Sequence, residues 1–266
     1  MISQPAALSA ALLEQSRTVW EWLATLSAED FSQPTVLPGW DVRTLTGHLI
    51  LVHRGLAGAL AQPTTERPLA NAEYVRRYRR DIDSIMERTR ATTRDHPGPE
   101  LVFQLNGAID EVAAILASAE LPAVIRAGRG PVKFPDFVAT RIVEVVVHSD
   151  DLSRSLPDRE PIALNRAALS RCTRTLADIL AAQQPGRSVE VRVPPYAAIQ
   201  CAIGSDSGDT GPIHSRGTPP NIVETDPLTF LRLATGRINW DHAVAAGTVI
   251  ASGLRANLAP ALPVMS

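Results

Sequence analysis

The sequence predicts a helical bundle over residues 1–157, followed by a smaller α+β domain over residues 158–266. Three observations carry this. Up to Leu156-Pro157 apolar residues recur at intervals of three and four, as on one face of a helix. Past that point Val189-Glu-Val-Arg-Val193 alternates apolar and charged residues, the mark of a half-buried strand. Between them, Phe137 to Leu152 is apolar nearly all round, which marks a buried helix. A length of 266 residues with 45% hydrophobic and 20% charged residues is ordinary globular composition and excludes disorder and fibres. A net charge of -2 and a pI near 6.3 leave no electrostatic footprint for nucleic acid or an anionic membrane.

In chain order, Leu8, Leu12, Val19, Leu23 and Leu26 define a first helix over Ala6–Leu26, closing before the capping-box-like Ser27-Ala-Glu-Asp30. Pro34, Pro38 and Gly39 make Ser32 to Trp40 a loop with Trp40 as an apolar anchor, and Asp41 is placed to cap the next helix. From Asp41 to about Leu60 a stripe of Leu45, Leu49, Val52, Leu56 and Leu60 predicts that second helix, with His48 on its inward side. His53 falls roughly 140° away on the helical wheel and cannot bind the same atom. Tyr74 to Thr93 reads as one amphipathic helix whose arginines form a solvated face, and Leu105 to Leu116 as another. Gly128-Arg-Gly-Pro131 reads as a break before the buried helix. In the second part a helix over Pro161–Ala182 precedes strands at Val189–Val193, Ala197–Ile203 and Asn221–Thr225, with turn residues over Gly204–Gly211. Asp226-Pro227 then caps a helix from Leu228 to about Thr235, and residues 244–262 read as helix, strand and helix.

The buried helix carries an ionisable stripe. Phe137, Arg141, Glu144, His148 and Asp151 share one face, and a carboxylate out of water costs several kcal/mol unless it is paired or bound to a metal. Glu144 and His148 stand one turn apart, and His48 projects from another helix into the same interior. Two imidazoles and a carboxylate suit a divalent transition metal, zinc first, with iron, manganese or nickel behind it, and three protein ligands leave an open position. Arg141 and Asp151 would orient those ligands; the alternative is an ordinary buried ion-pair network of Arg141, Glu144 and Asp151. The chain has no H-E-x-x-H, Walker loop, G-x-S-x-G or dinucleotide fingerprint. His214 and His242 read as surface residues. Cys172 and Cys201, far apart with no C-x-x-C, read as buried thiols of a reducing compartment. Arg237 suits either a carboxylate ligand or a helix C-terminus. Without a basic-then-apolar leader at Met1-Ile-Ser-Gln-Pro, or an apolar run of ~20 residues, a soluble cytoplasmic protein is expected.

Leu37-Pro-Gly-Trp-Asp-Val-Arg-Thr-Leu-Thr-Gly-His48-Leu, followed by Arg141-Ile-Val-Glu144-Val-Val-Val-His148-Ser-Asp-Asp151-Leu, resembles the mycothiol-dependent maleylpyruvate isomerase family. The resemblance implies a DinB-like bundle in which His48, Glu144 and His148 ligate a zinc-type metal. Asp226-Pro-Leu-Thr-Phe-Leu-Arg-Leu-Ala-Thr-Gly-Arg237 resembles the C-terminal domain of the same family, which is similar to sterol-carrier-like α+β folds, and implies Arg237 as a catalytic residue. The segment from Ile238 to Gly253 looks more like the sterol-carrier pattern than like the isomerase. By the same resemblance mycothiol is the thiol cosubstrate. Its metal-activated thiolate would add to a small electrophile such as maleylpyruvate, either leaving again after bond rotation, as in an isomerase, or being released as an adduct, as in a transferase. Partners are then small molecules, with no nucleic acid or membrane, in a monomer or dimer. A non-enzymatic binding protein for an apolar molecule is the rival class.

Overall fold

A computed structural model describes residues 4–80, 82–118, 120–203 and 221–265. The Gly204–Gly211 turn and His214 lie outside the described residues. The chain divides into two units, Met1–Ala168 and Leu169–Ser266.

In the first unit, α1 (Gln4–Ala24), α2 (Val42–Leu60), α5 (Gly98–Leu116) and α6 (Phe134–Ser155) form a ring of four, α1 packing on α6 and α5, and α2 on the same two. This is a helical bundle, as the apolar spacing requires. The connection from α1 holds the expected reciprocal cap: Ser27 N and Oγ both donate to Asp30 Oδ2 at 2.8 Å, and Asp30 N donates to Ser27 Oγ at 3.3 Å. Asp41 caps α2 by accepting from Thr44 N at 2.7 Å. Leu45, Leu49 and Leu56 of α2 are buried, and so are nearly all residues of α6 from Phe137 to Leu152, Glu144 being slightly open. After Pro157 the chain is still tied to α1. Trp22 Nε1 donates to the Glu160 carbonyl at 2.7 Å, and Gln15 Nε2 and Oε1 meet the Ala163 carbonyl and Asn165 N.

Three elements depart from the sequence reading. Tyr74–Thr93 is not one helix: α3 (Asn71–Arg76) passes into a 3-10 turn (Arg77–Arg80), and α4 (Ile82–Thr93) starts afresh. The break lets Tyr74, Val75 and Tyr78 all turn inward, while α4 packs on α2 instead. The stretch read as a break before α6 is a hairpin, β1 (Val124–Ala127) with β2 (Gly130–Lys133), turning through Gly128-Arg129 into Gly130 at φ 124. Residues 62–69 flank it, with Arg126 N donating to the Gln62 carbonyl at 2.9 Å and Leu69 N to the Pro131 carbonyl at 2.9 Å. Four-residue strands are too short to show a period, and residues 62–69 that flank the hairpin lie far away in sequence. The third departure is Leu254–Leu262, where only a 3-10 turn (Ala259–Ala261) forms in place of a helix.

The second unit continues α7 (Arg166–Gln183) and contains a four-stranded sheet in the order β4 (Ala197–Cys201), β3 (Val189–Val193), β5 (Ile222–Thr225), β6 (Val249–Ser252). β3 and β5 are parallel and the outer pairs antiparallel. Val189, Val191 and Val193 point inward as the alternation required. α8 (Pro227–Ala234) is capped by Asp226, which accepts from Leu228 N at 2.9 Å and Thr229 N at 3.0 Å, and α9 (Trp240–Ala245) comes next. The unit is α+β. Among the described residues no helix is long and apolar enough to cross a membrane.

Candidate metal centre

α2 and α6 pack side by side in the ring, and this brings His48 from one against Glu144 and His148 from the other. The helical register places the three side chains at one level. His48 Nε2 and His148 Nε2 each lie 3.3 Å from Glu144 Oε2. One donor atom from each residue falls within 4.8 Å of the others. The two imidazole centroids are 4.9 Å apart, nearly perpendicular, and the Trp40 ring stands edge-on to His48 at 5.5 Å. Trp40 is thus an anchor for the His48 ring.

Two further residues of the stripe, Asp151 and Arg141, hold this arrangement. Asp151, fully buried, brings Oδ2 to 2.9 Å from His148 Nδ1. Because a carboxylate only accepts, Nδ1 carries a proton and donates it to Asp151, which fixes the ring with Nε2 facing Glu144. Arg141 approaches Glu144 Oε1 at 3.7 Å, on the oxygen the histidines do not use, and donates to Tyr78 Oη. Its guanidinium also lies 4.9 Å from the Phe137 ring centroid.

The ionisations are set by these contacts. Burial raises a carboxyl pKa, yet contacts with His148, His48 and Arg141 hold Glu144 well below its ordinary value. Burial, with the adjacent positive charges of His148 and Arg141, pushes His48 down despite its contact with Glu144. Burial acts the same way on His148, but Asp151 and Glu144 outweigh it and raise its pKa. Two histidines at the same distance from one carboxylate therefore differ because one has Asp151 behind it. His48 Nδ1 is buried with no hydrogen-bond partner among the described residues.

A metal fits this donor set. Two imidazole nitrogens and one carboxylate oxygen converge from two helices, and the group behind His148 is the kind that fixes a ligand's tautomer. The centre also has access. His48, Glu144 and Arg141 line a cleft of about 550 Å³ together with Leu51, Tyr74, Tyr78, Arg88 and Arg129. The sequence pattern marks none of those last five as site residues; the i, i+4 spacing of Tyr74 and Tyr78 is the one signal that points to them.

His53 is excluded, as its angle required: it is buried, its Nδ1 donating to the Leu49 carbonyl at 2.7 Å and its Nε2 facing Ser16 Oγ at 2.8 Å. His242 is exposed. Cys172 and Cys201 are buried free thiols, and burial pushes the Cys201 pKa to about 11. Arg237 belongs to the second unit, where it donates to the Thr235 carbonyl at 2.8 Å and lines a separate cleft of about 660 Å³ with Trp240, His242 and Leu262.

Fold and site define a class: a helical bundle with a buried two-histidine, one-carboxylate donor set open to a cleft, followed on the same chain by an α+β unit. The family model described as mycothiol maleylpyruvate isomerase N-terminal domain matches residues 12–153, and the one described as bacterial SCP ortholog matches residues 165–264. The chain belongs to the mycothiol maleylpyruvate isomerase family. It is similar in fold to the crystal structure of the mycothiol-dependent maleylpyruvate isomerase, with TM-score 0.61 and 14% identity over 94% of this chain and 93% of that one. A histidine-to-alanine mutant of that isomerase gives TM-score 0.60 at the same identity and coverage. No curated protein matches the chain at a significant level.

Proposed function

We propose that the protein is a metal-dependent enzyme that uses mycothiol to act on a small electrophile, as an isomerase of maleylpyruvate or a related molecule or as a thiol S-transferase, with His48, Glu144 and His148 holding a divalent ion, zinc first. The observation that carries this is the convergence of the three donors at the wall of a cleft, in a chain of this family. A divalent cation held there supplies Lewis acidity that lowers the pKa of a thiol at its open position. The chain's own residues do the rest. Asp151 orients His148 through Nδ1, and Arg141 draws Glu144 Oε1 away so that Oε2 faces the imidazoles. Tyr78, Arg88 and Arg129 line the space a substrate would fill. Arg237 is assigned a carboxylate-binding role in catalysis, supported by its Thr-Gly-Arg context and its place on the rim of the second unit's cleft.

The test is elemental analysis of protein purified without chelators, followed by mycothiol-dependent turnover of maleylpyruvate. Near-stoichiometric metal that disappears in His48→Ala, with turnover that requires both metal and thiol, is the expected result. Absence of metal in the wild type ends the enzyme reading. The second reading, a non-enzymatic carrier of an apolar molecule, is favoured by the SCP match and by Leu233, Ile238, Trp240 and Leu262 around the second unit's cleft. It takes over if the metal-free protein binds an apolar ligand saturably and shows no thiol-dependent turnover.

A further inference from the structure

The cleft beside the metal donors is strongly one-sided in charge. Arg54, Arg88, Arg129 and Arg141 line it, and the single acid among its described lining residues is Glu144, already shared by His48, His148 and Arg141. Arg54 donates to Gln104 Oε1 and Arg88 to the Ser84 carbonyl, both at 3.2 Å; these are neutral acceptors, and neither arginine is paired with a carboxylate among the described residues. Arg129 spreads its guanidinium 3.7 Å from the centroid of the Tyr78 ring.

Tyr74 lines the same cleft and is fully buried, its ring edge-on to Tyr78 at 6.0 Å and to Phe137 at 5.9 Å. Its hydroxyl has no hydrogen-bond partner among the described residues. Phenylalanine would fill this aromatic corner equally well and without a buried hydroxyl to satisfy, so packing does not account for the oxygen. A donor left unmet in a cleft with excess positive charge fits one kind of ligand atom, an oxygen bearing negative charge.

We propose that Tyr74 Oη donates a hydrogen bond to an oxyanion of the small ligand that fills this cleft, with Arg54 and Arg88 as its charged rim. The ligand is a small carboxylate or other oxyanion, bound next to the metal donors by a tyrosine on α3. The proposal rests on the reading of the cleft as the substrate site. It does not depend on which ion occupies the metal centre.

The experiment is isothermal titration of the full-length protein with maleate and, separately, with inorganic phosphate. Wild type, Tyr74→Phe and Arg88→Gln are compared, with metal content measured on the same samples. Wild type should bind maleate saturably. Tyr74→Phe should bind it at least tenfold more weakly, about 1.4 kcal/mol, while keeping wild-type metal content and a Tm no lower than wild type. Arg88→Gln, an exposed change, should weaken binding and flatten its salt dependence. Competition by phosphate supports a general oxyanion site, and silence of phosphate supports a carboxylate site. Equal maleate affinity in wild type and Tyr74→Phe overturns the proposal, as does wild type binding neither anion saturably. Wild type without metal that still binds maleate through Tyr74 would sink the metal reading and leave this one standing.

Discussion

Asp151→Asn isolates the residue that makes the two histidines different. The substitution keeps the size of the side chain and leaves an amide oxygen to accept from His148 Nδ1, now at 2.9 Å from a carboxylate, but removes the negative charge from a site with no solvent exposure. Losing such a partner behind a metal-bound imidazole costs about 10- to 100-fold in metal affinity, or ~1.4–2.7 kcal/mol. Asp151→Ala is the poorer choice, because it would leave a buried N–H unmet and mix a stability loss into the result. The assay is a zinc titration against a chromophoric chelator at pH 7.5. Asp150→Asn serves as the control, since Asp150 is the neighbouring buried acid and faces Arg154 at 3.9 Å. Expected is a 10- to 100-fold loss for Asp151→Asn and wild-type affinity for Asp150→Asn. If Asp151→Asn binds zinc within twofold of wild type, or the control loses as much, the orienting role assigned to Asp151 is refuted.

Three further expectations concern stability. Burial pushes the His53 pKa down from 6.5 to about 4, so above pH 6.5 the residue is neutral folded or unfolded and contributes nothing. As pH falls from 6.5 to 4 the unfolded chain takes up the proton first, and stability is lost by up to about 3 kcal/mol. Urea unfolding at pH 7.5 and pH 5 should show wild type losing more than His53→Gln, and equal losses would refute the assignment. Gly47→Ala places a Cβ 2.2 Å from Thr93 Cγ2, a buried side chain with little room to yield, and should destabilise by about 1–3 kcal/mol despite the better helix propensity of alanine; an unchanged Tm would contradict the close approach of α2 and α4. Asp41→Ala removes the α2 cap and should cost about 1 kcal/mol in denaturant unfolding.

The buried helix, its stripe and the cap that starts α2 were legible in the sequence because each is a local pattern. Intervals of three and four put Arg141, Glu144, His148 and Asp151 on one face whatever surrounds them, and an Asp three residues before a free N–H caps a helix from short range alone. The alternating β3 was legible for the same reason. The hairpin at Val124–Lys133 was not, since its strands are short and residues 62–69 beside them are remote in sequence. Nor was the break between α3 and α4. There the aromatic and apolar spacing continues across the gap, and only packing decides that Tyr74 and Tyr78 turn toward Phe137 and Arg141.

By itself, then, the sequence determined which side chains share a helix face, that this face is buried, and that its charge needs a partner. The tertiary structure decided which side chains stand beside that charge. Packing of α2 on α6 puts His48 Nε2 and His148 Nε2 at equal distances from Glu144 Oε2, so that donor atoms from two helices converge on one point. It also lines the space beside that set with Tyr74 and four arginines drawn from separate elements. Periodicity reports only what one element presents, whereas a site depends on the distance between elements, and that distance is set by how their side chains pack.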